Sequence, residues 1–215
     1  MIPLALCVTF ARHVRVYPLD SVEGLKVDYG ITAESVVYRG RKAVKLTEEL
    51  DPENGALAVI PGLDFGDGTI EVDVAAQLSD NAGAGSRGFV GIAFRGSDDM
   101  EKYENFYLRM TNGRSPDLTL RPHAVQYCSI PGFTWDYLRK KTPGKYEAYT
   151  DLELGAWKHI KISVHGGEAQ YYVGDMGRPV LVVHGLLGKQ THGKVALWVH
   201  AHTKAYYSNL KFSPG

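Results

Sequence analysis

Cysteine is nearly missing: Cys7 and Cys128 are the whole supply in 215 residues. Two cannot build a disulfide framework, and neither stands in a Cys-x-x-Cys or Cys/His cluster with metal-ligand spacing. They are left as one bridge or as two buried, inert thiols. Net charge is missing too. Lys plus Arg and Asp plus Glu number 24 each, so no overall field draws the chain to nucleic acid or to an anionic membrane. No apolar run is long enough to cross a bilayer as a helix, which argues against membrane insertion. Residues 1–11 resemble part of a signal h-region without its basic n-region. They lead at once into the alternating His13-Val14-Arg15-Val16-Tyr17 and read as a strand, leaving the compartment open. Periodic runs of helix formers are nearly absent. So are phosphate-loop, dinucleotide and Gly-x-Ser-x-Gly signatures, and no cofactor is implied.

What the chain does have is turns and strand formers. It carries 24 glycines and 13 tyrosines, and 44% of its residues are apolar, enough for a sizeable core. Strand-like runs fall at 4–10, 14–17, 35–38, 43–46, 56–60, 69–74, 157–164, 169–173, 180–184, 193–201 and 205–212, with three more between 88 and 129. Arg39-Gly40-Arg41 fits a hairpin turn, and residues 51–55, 62–68 and 79–87 read as loops. Residues 130–151 show no clear period but are dense in aromatics and cations, which reads as a long ordered loop of the kind that carries function. About 13 to 15 short strands with almost no helix predict an all-β fold, a two-sheet antiparallel jelly-roll sandwich, formed as a single domain over residues 1–215.

Residues 88–129 hold the candidate site. Val90, Ile92 and Phe94 share one phase of their run and Arg95 the other; Phe106, Leu108 and Met110 oppose Asn105, Tyr107 and Arg109. One face is apolar, while the other offers planar hydrogen-bonding groups suited to sugars, with Arg as a fork and Tyr as both ring and hydroxyl. Arg95, Tyr107 and Arg109 are therefore candidate ligand-binding residues, against the plainer reading of a solvated face. His123 and Tyr127 share a phase with Val125, so their direction is open, and they gain weight if they neighbour Arg109. Trp135, with Tyr137 and Arg139, is placed to form a lid. In the last long run Val195, Leu197 and Val199 take the core phase, leaving Trp198 and His200 opposite. Trp198 reads equally as a stacking platform or as core. His200 and His202 have the spacing of a metal pair but no third ligand, so no metal site is assigned.

Several phrases, in this order, resemble the concanavalin A-like lectin/glucanase superfamily. They are Phe65-Gly66-Asp67-Gly68-Thr69-Ile70-Glu71-Val72-Asp73-Val74, Phe89-Val90-Gly91-Ile92-Ala93-Phe94-Arg95, Trp157-Lys158-His159-Ile160-Lys161-Ile162-Ser163-Val164, Gly193-Lys194-Val195-Ala196-Leu197-Trp198-Val199 and Ala205-Tyr206-Tyr207-Ser208-Asn209-Leu210. The likeness is to its laminin-G-like and bacterial sugar-active branches, including 3-keto-disaccharide hydrolase-type domains. It implies a concave face that takes a glycan ligand, and a secreted or periplasmic setting. The chain departs from the superfamily's glucanases: Glu71-Val72-Asp73 lacks the third carboxylate of their catalytic strand, and no catalytic residue is assigned. Calcium, used by some lectin branches, has candidate oxygens in Asp98-Asp99 and Asp80-Asn81 but no ligand motif. Carbohydrate recognition leads. The alternatives are a glycoside hydrolase or polysaccharide lyase drawing on Glu71, Asp73 or Glu104, and a protein-interaction module.

Two structural expectations follow. Phe94, Phe106, Leu108, Ile160, Ile162, Leu197 and Leu210 are buried, and Arg95, Tyr107, Arg109 and Trp198 line one concave surface. Truncating Phe94 or Phe106 to Ala then costs about 3–5 kcal/mol of stability, measured by urea unfolding.

Overall fold

The computed structural model describes residues 13–215; the run at 4–10 and Cys7 lie outside them. Fifteen strands are found among the described residues. They are β1 (Arg15–Tyr17), β2 (Lys26–Val27), β3 (Ile31–Tyr38), β4 (Arg41–Glu48), β5 (Ala56–Phe65), β6 (Gly68–Leu78), β7 (Phe89–Gly96), β8 (Tyr103–Arg109), β9 (Val125–Ile130), β10 (Glu147–Ala148), β11 (Lys158–His165), β12 (Glu168–Val173), β13 (Leu181–His184), β14 (Gly193–His200) and β15 (Thr203–Pro214). Among the described residues there is one α-helix, α1 (Trp135–Lys141), before β10, and one short 3-10 turn at Arg121–His123 before β9.

The strands make two antiparallel sheets. The eight-stranded sheet runs β13-β12-β11-β6-β15-β4-β3, with β1 added on β15, and the seven-stranded sheet runs β10-β9-β8-β7-β14-β5-β2. Period-two alternation decides which side chains meet between them. From one sheet come Ile70, Val72, Val74, Ile160, Ile162 and Leu210; from the other come Val90, Ile92, Phe94, Phe106, Leu108 and Leu197, all buried. Phe106 stacks on Tyr171 of the facing sheet with ring centroids 4.3 Å apart, and Phe65 meets Phe94 and Phe212 edge to face. Every position expected in the core is there. The strand β15 bends at Asn209, whose backbone is left-handed (φ 54). The register shifts between Ser208 and Lys211, as a bulge requires, and β1 pairs with residues 210–212 beyond the stretch that β4 covers.

Two stretches fold otherwise than the sequence suggests. Most of the expected loop at 62–68 is strand, with β5 running to Phe65 and only Gly66-Asp67 left as a turn. The expected loop at 130–151 contains α1 and β10. Seven residues are too few to show a helical period. The helix is marked instead by charge, Asp136 in its first turn and Arg139, Lys140 and Lys141 in its last, each complementing the helix dipole.

One charged group sits in the core. Glu104 shares the inward phase of β8 with Phe106 and is buried. Its carboxylate accepts from the Tyr127 hydroxyl at 2.6 Å and from the Gly188 amide at 2.8 Å, while the Tyr127 oxygen accepts from Leu187 N at 2.7 Å. The pair pins residues 186–188 to the sandwich. Burial raises the carboxyl pKa above its ordinary 4.5, although these hydrogen bonds pull it down. A raised folded-state pKa gives a contribution that is whole below the unfolded value and is lost as pH climbs through the folded one. We therefore expect the stability of Glu104→Gln relative to wild type to improve steadily as pH rises from about 4.5 toward neutrality. Urea midpoints of both proteins across that range check it, and a difference that stays flat with pH refutes it.

Candidate functional site

The outer face of the seven-stranded sheet carries the chemistry. Across β8, β7 and β14, Tyr107, Gly91 and Trp198 are directly opposite one another. Gly91 has no side chain, and a Cβ there would collide with Tyr107 Cβ and the Phe106 carbonyl. The flanking rings close over the gap, with Tyr107 and Trp198 centroids 4.5 Å apart. Phe89, one step along β7, packs on both rings and on His200.

Beside this aromatic floor lies Arg109, only 5% exposed. Its guanidinium donates to the His123 carbonyl (3.0 Å), to Gln126 Oε1 (3.2 and 3.3 Å) and to the Tyr107 hydroxyl (3.0 Å). It also lies 3.4 Å from the buried Glu147 carboxylate. Glu147 pairs in addition with Arg139 of α1, through Nε at 3.1 Å and through Nη2. His123 Nδ1 comes within 2.9 Å of the same carboxylate but off the hydrogen-bonding direction. Trp135 and Arg139, four residues apart on α1, share one helix face. The Trp135 ring lies under the Arg139 guanidinium (4.7 Å) and near that of Arg109 (5.7 Å). It remains 42% exposed, a supported aromatic surface.

Of these side chains all but Trp198, Gln126 and Glu147, which lie behind the surface, line a recess of about 540 Å³. Its rim is formed by α1, by the loop around residues 81–87 and by two turns, at 51–55 and at 201–202. Glu48 joins those turns: its buried carboxylate accepts from the amides of Leu50, Asp51 and, at 2.9 Å, His202. Burial holds the His200 imidazole below its ordinary 6.5, against the nearby Asp51 and Glu48 that pull it up. His200 is thus neutral at physiological pH, a ring that can accept or donate.

Of the eight residues singled out from sequence, Tyr107, Arg109, His123, Trp135, Trp198 and His200 gather here. Two do not. Arg95 has a left-handed backbone (φ 51) where the β7–β14 register slips. The irregularity turns its side chain from the outer face to the end of the sandwich, where it bonds Asp67 (2.9 Å) and the carbonyls of Gly66 and Gly166. Tyr127 faces the core with Glu104, because Val125 and Tyr127 take the inward phase. Trp198 joins the site but is no open platform. It is 3% exposed, its indole donates to Asn54 O at 2.8 Å, and the turn at Gly55 lies on its ring. Sequence reasoning passed over Gln126 and Glu147, and put Asn105 on the hydrogen-bonding face without naming it a ligand-binding residue. The first and last stand on the outward phase of β9 and β8, so alternation carried their signal; Glu147 sat in a stretch without period.

The paired carboxylates Glu71 and Asp73 lie on the outer face of the opposite sheet. His159 bridges them, 3.1 Å from Glu71 and 2.8 Å from Asp73, and Asp73 also accepts from Arg41 and Asn209 at 2.8 Å each. Cys128 is buried with a free thiol, beside Asn105, and burial pushes its pKa up to about 12. Among the described residues no helix is long and apolar enough to cross a membrane.

No family model and no curated protein matches the chain. Solved structures do. A carbohydrate-binding module, CBM66 from Bacillus subtilis, superposes with a TM-score of 0.62 at 17% identity, over 88% of this chain and 96% of that one. The fold is concanavalin A-like. A Bacillus subtilis protein of unknown function with a galectin-like fold gives a TM-score of 0.61 at 14% identity, covering 93% of this chain and 94% of that one. The Crh5 transglycosylase, solved with NAG, gives 0.56 at 12% identity over 94% and 84%. At such identities the concanavalin A-like sandwich is shared and the side chains of the recess are this chain's own.

Two substitutions test the floor. Gly91→Ala drives a Cβ into the Phe106 carbonyl and the Tyr107 Cα and Cβ and costs about 1–3 kcal/mol in thermal or urea unfolding. Arg109→Ala leaves Glu147 with less of its compensating charge in a buried position and costs about 3–5 kcal/mol. A wild-type melting curve for Arg109→Ala would show the network to be incidental.

Proposed function

We propose that this protein recognises carbohydrate in the recess on the outer face of its seven-stranded sheet. The observation that carries the reading is Trp135. It is a large ring held half-exposed at the mouth of the recess, braced by Arg139 and Arg109 and fixed by a helix. An aromatic ring offers its face to the C–H side of a sugar, while neighbouring imidazoles, amides and guanidinium groups bond the hydroxyls. The concanavalin A-like scaffold supports this, since the superposed structures include a carbohydrate-binding module.

Binding is favoured over hydrolysis by the placement of carboxylates. Glycosidases of the common kind set two of them across the scissile bond. Among the described residues lining the recess Asp51 is the one carboxylate. Glu71 and Asp73 are on the opposite sheet and Glu104 is in the core, so the three acids considered from sequence do not converge there.

The test is a glycan array followed by calorimetric titration of the best ligand. Trp135→Ala is expected to weaken binding about tenfold, roughly 1.4 kcal/mol, while Glu71→Gln leaves it unchanged. Absence of any glycan ligand, or full affinity in Trp135→Ala, would overturn the reading. Assays for new reducing ends and for ultraviolet-absorbing unsaturated products run alongside. Product formation lost in Glu71→Gln with binding intact would make the protein a glycosidase.

A further inference from the structure

The walls of the recess carry more positive than negative charge. Arg87, Arg109 and Arg139 line it, against the single carboxylate of Asp51. Behind the surface Glu147 is shared by Arg109 and Arg139, so one carboxylate answers two guanidinium groups. Asp51 stands beside His200, 3.5 Å from its Nδ1, and the Glu48 carboxylate is taken up by backbone amides. Glu53 and Asp136 line a separate, smaller hollow next to Trp135. Arg87 is left without a counter-charge: it forms no ion pair with any described residue. It is half-buried, and its carbonyl is held by the amide and the hydroxyl of Thr111 at 3.1 and 3.3 Å. One corner of its guanidinium is fixed as well, Nη1 donating to the carbonyls of Ala84 (2.5 Å) and Ser86 (3.0 Å). The other edge, Nε and Nη2, has no partner among the described residues, and neither atom is buried.

The Nε and Nη2 edge of a guanidinium is the fork that meets a carboxylate through two parallel hydrogen bonds. This protein uses the edge in that way twice. Arg114 holds Asp151 through Nε at 2.7 Å and Nη2 at 2.8 Å, and Arg139 grips Glu147 through the same two atoms. On Arg87 the edge is open, in a residue that lines the recess. Because its opposite corner is already tied down, little side-chain freedom is lost when the fork is filled. Resting on the carbohydrate reading, we propose that the recess takes a sugar acid, whose carboxylate is held bidentate by Arg87. Uronic and sialic acids both present such a group on the ring. Arg139 Nη1, which makes no hydrogen bond with a described residue, offers a further donor to the same ligand, and Trp135 offers the face on which its ring lies. A hydroxymethyl group in place of the carboxylate leaves the Arg87 charge unanswered. The site therefore selects sugar acids over their neutral counterparts.

The probes are a glycan array carrying oligouronides, sialyl oligosaccharides, the carboxyl-reduced counterpart of each, and 6-sulfated neutral oligosaccharides, followed by calorimetric titration of the best ligand and its reduced partner. The tightest ligand is expected to carry a carboxylate, the uronide and sialyl arms showing which, and to bind wild type about tenfold more tightly than its reduced partner. That ratio falls toward one in Arg87→Gln. It stays as in wild type in Arg114→Gln, whose guanidinium already holds Asp151. The comparison of acid and reduced sugar on wild type stands whether or not either variant folds. A neutral glycan as the tightest ligand, equal affinity for an acid and its reduced form, or a sulfated sugar bound at least as tightly as any carboxylated one overturns the inference while leaving carbohydrate recognition in place. So does a folded Arg87→Gln that keeps the wild-type ratio. An empty array removes both.

Discussion

A guanidinium that is withdrawn from water must find its hydrogen bonds within the protein, and Arg109 sets the layout of this site by that requirement. Charge burial is costly unless geometry and partners compensate. Here the compensation comes from several separate elements: Tyr107 on its own strand, Gln126 on β9, Glu147 on β10 and the carbonyl of His123 in the turn before β9. Glu147 in turn anchors Arg139 and with it α1. Take away the guanidinium and the short edge strand β10, the helix and the turn lose the common partner that draws them over the sheet. The recess wall is thus a consequence of satisfying one cation.

The same period-two rule serves two purposes on the two faces of a strand. On β8, Phe106 and Leu108 close the core while Asn105, Tyr107 and Arg109 build the site, so neither face can slip register without undoing the other. The absent side chain of Gly91 is part of this arrangement, since it lets rings from strands on either side of β7 meet. Glu104 is the exception on the inner face. Its place beside Tyr127 is explained by the chain segment it holds: the amides of Leu187 and Gly188 end on these two oxygens.

The sandwich was legible because its information is short-range. Alternation located the core phase of β7, β8, β11, β14 and β15, and the Arg39-Gly40 turn announced its hairpin through two residues with left-handed backbones. The outward phase likewise pointed to Tyr107, Arg109, Trp198 and His200. What failed did so for local reasons. Arg95 follows alternation in sequence, but a register slip turns it away, and nothing in Phe-Arg-Gly marks a bulge. Tyr127 depended on whether Val125 looked inward, which pairing with β8 decides. The helix α1 is too short for a period to show. Trp198 was rightly placed on the outer face, yet its cover, the turn at 51–55, comes from a strand connection far away in the chain, and long-range closure of that kind leaves no mark in the residues around it.

Glu48 gives the rim a mechanical character. One buried carboxylate receives amides from the turn after β4 and from the turn between β14 and β15, so the two turns facing the recess are cross-braced at a single point. A mouth of this build resembles a cast fitting more than a closing hand. Little chain has to be ordered when a ligand arrives, and the entropy lost on association is mostly the ligand's own. Discrimination among ligands then depends on the fit of individual ligand groups to fixed atoms along the braced part of the rim.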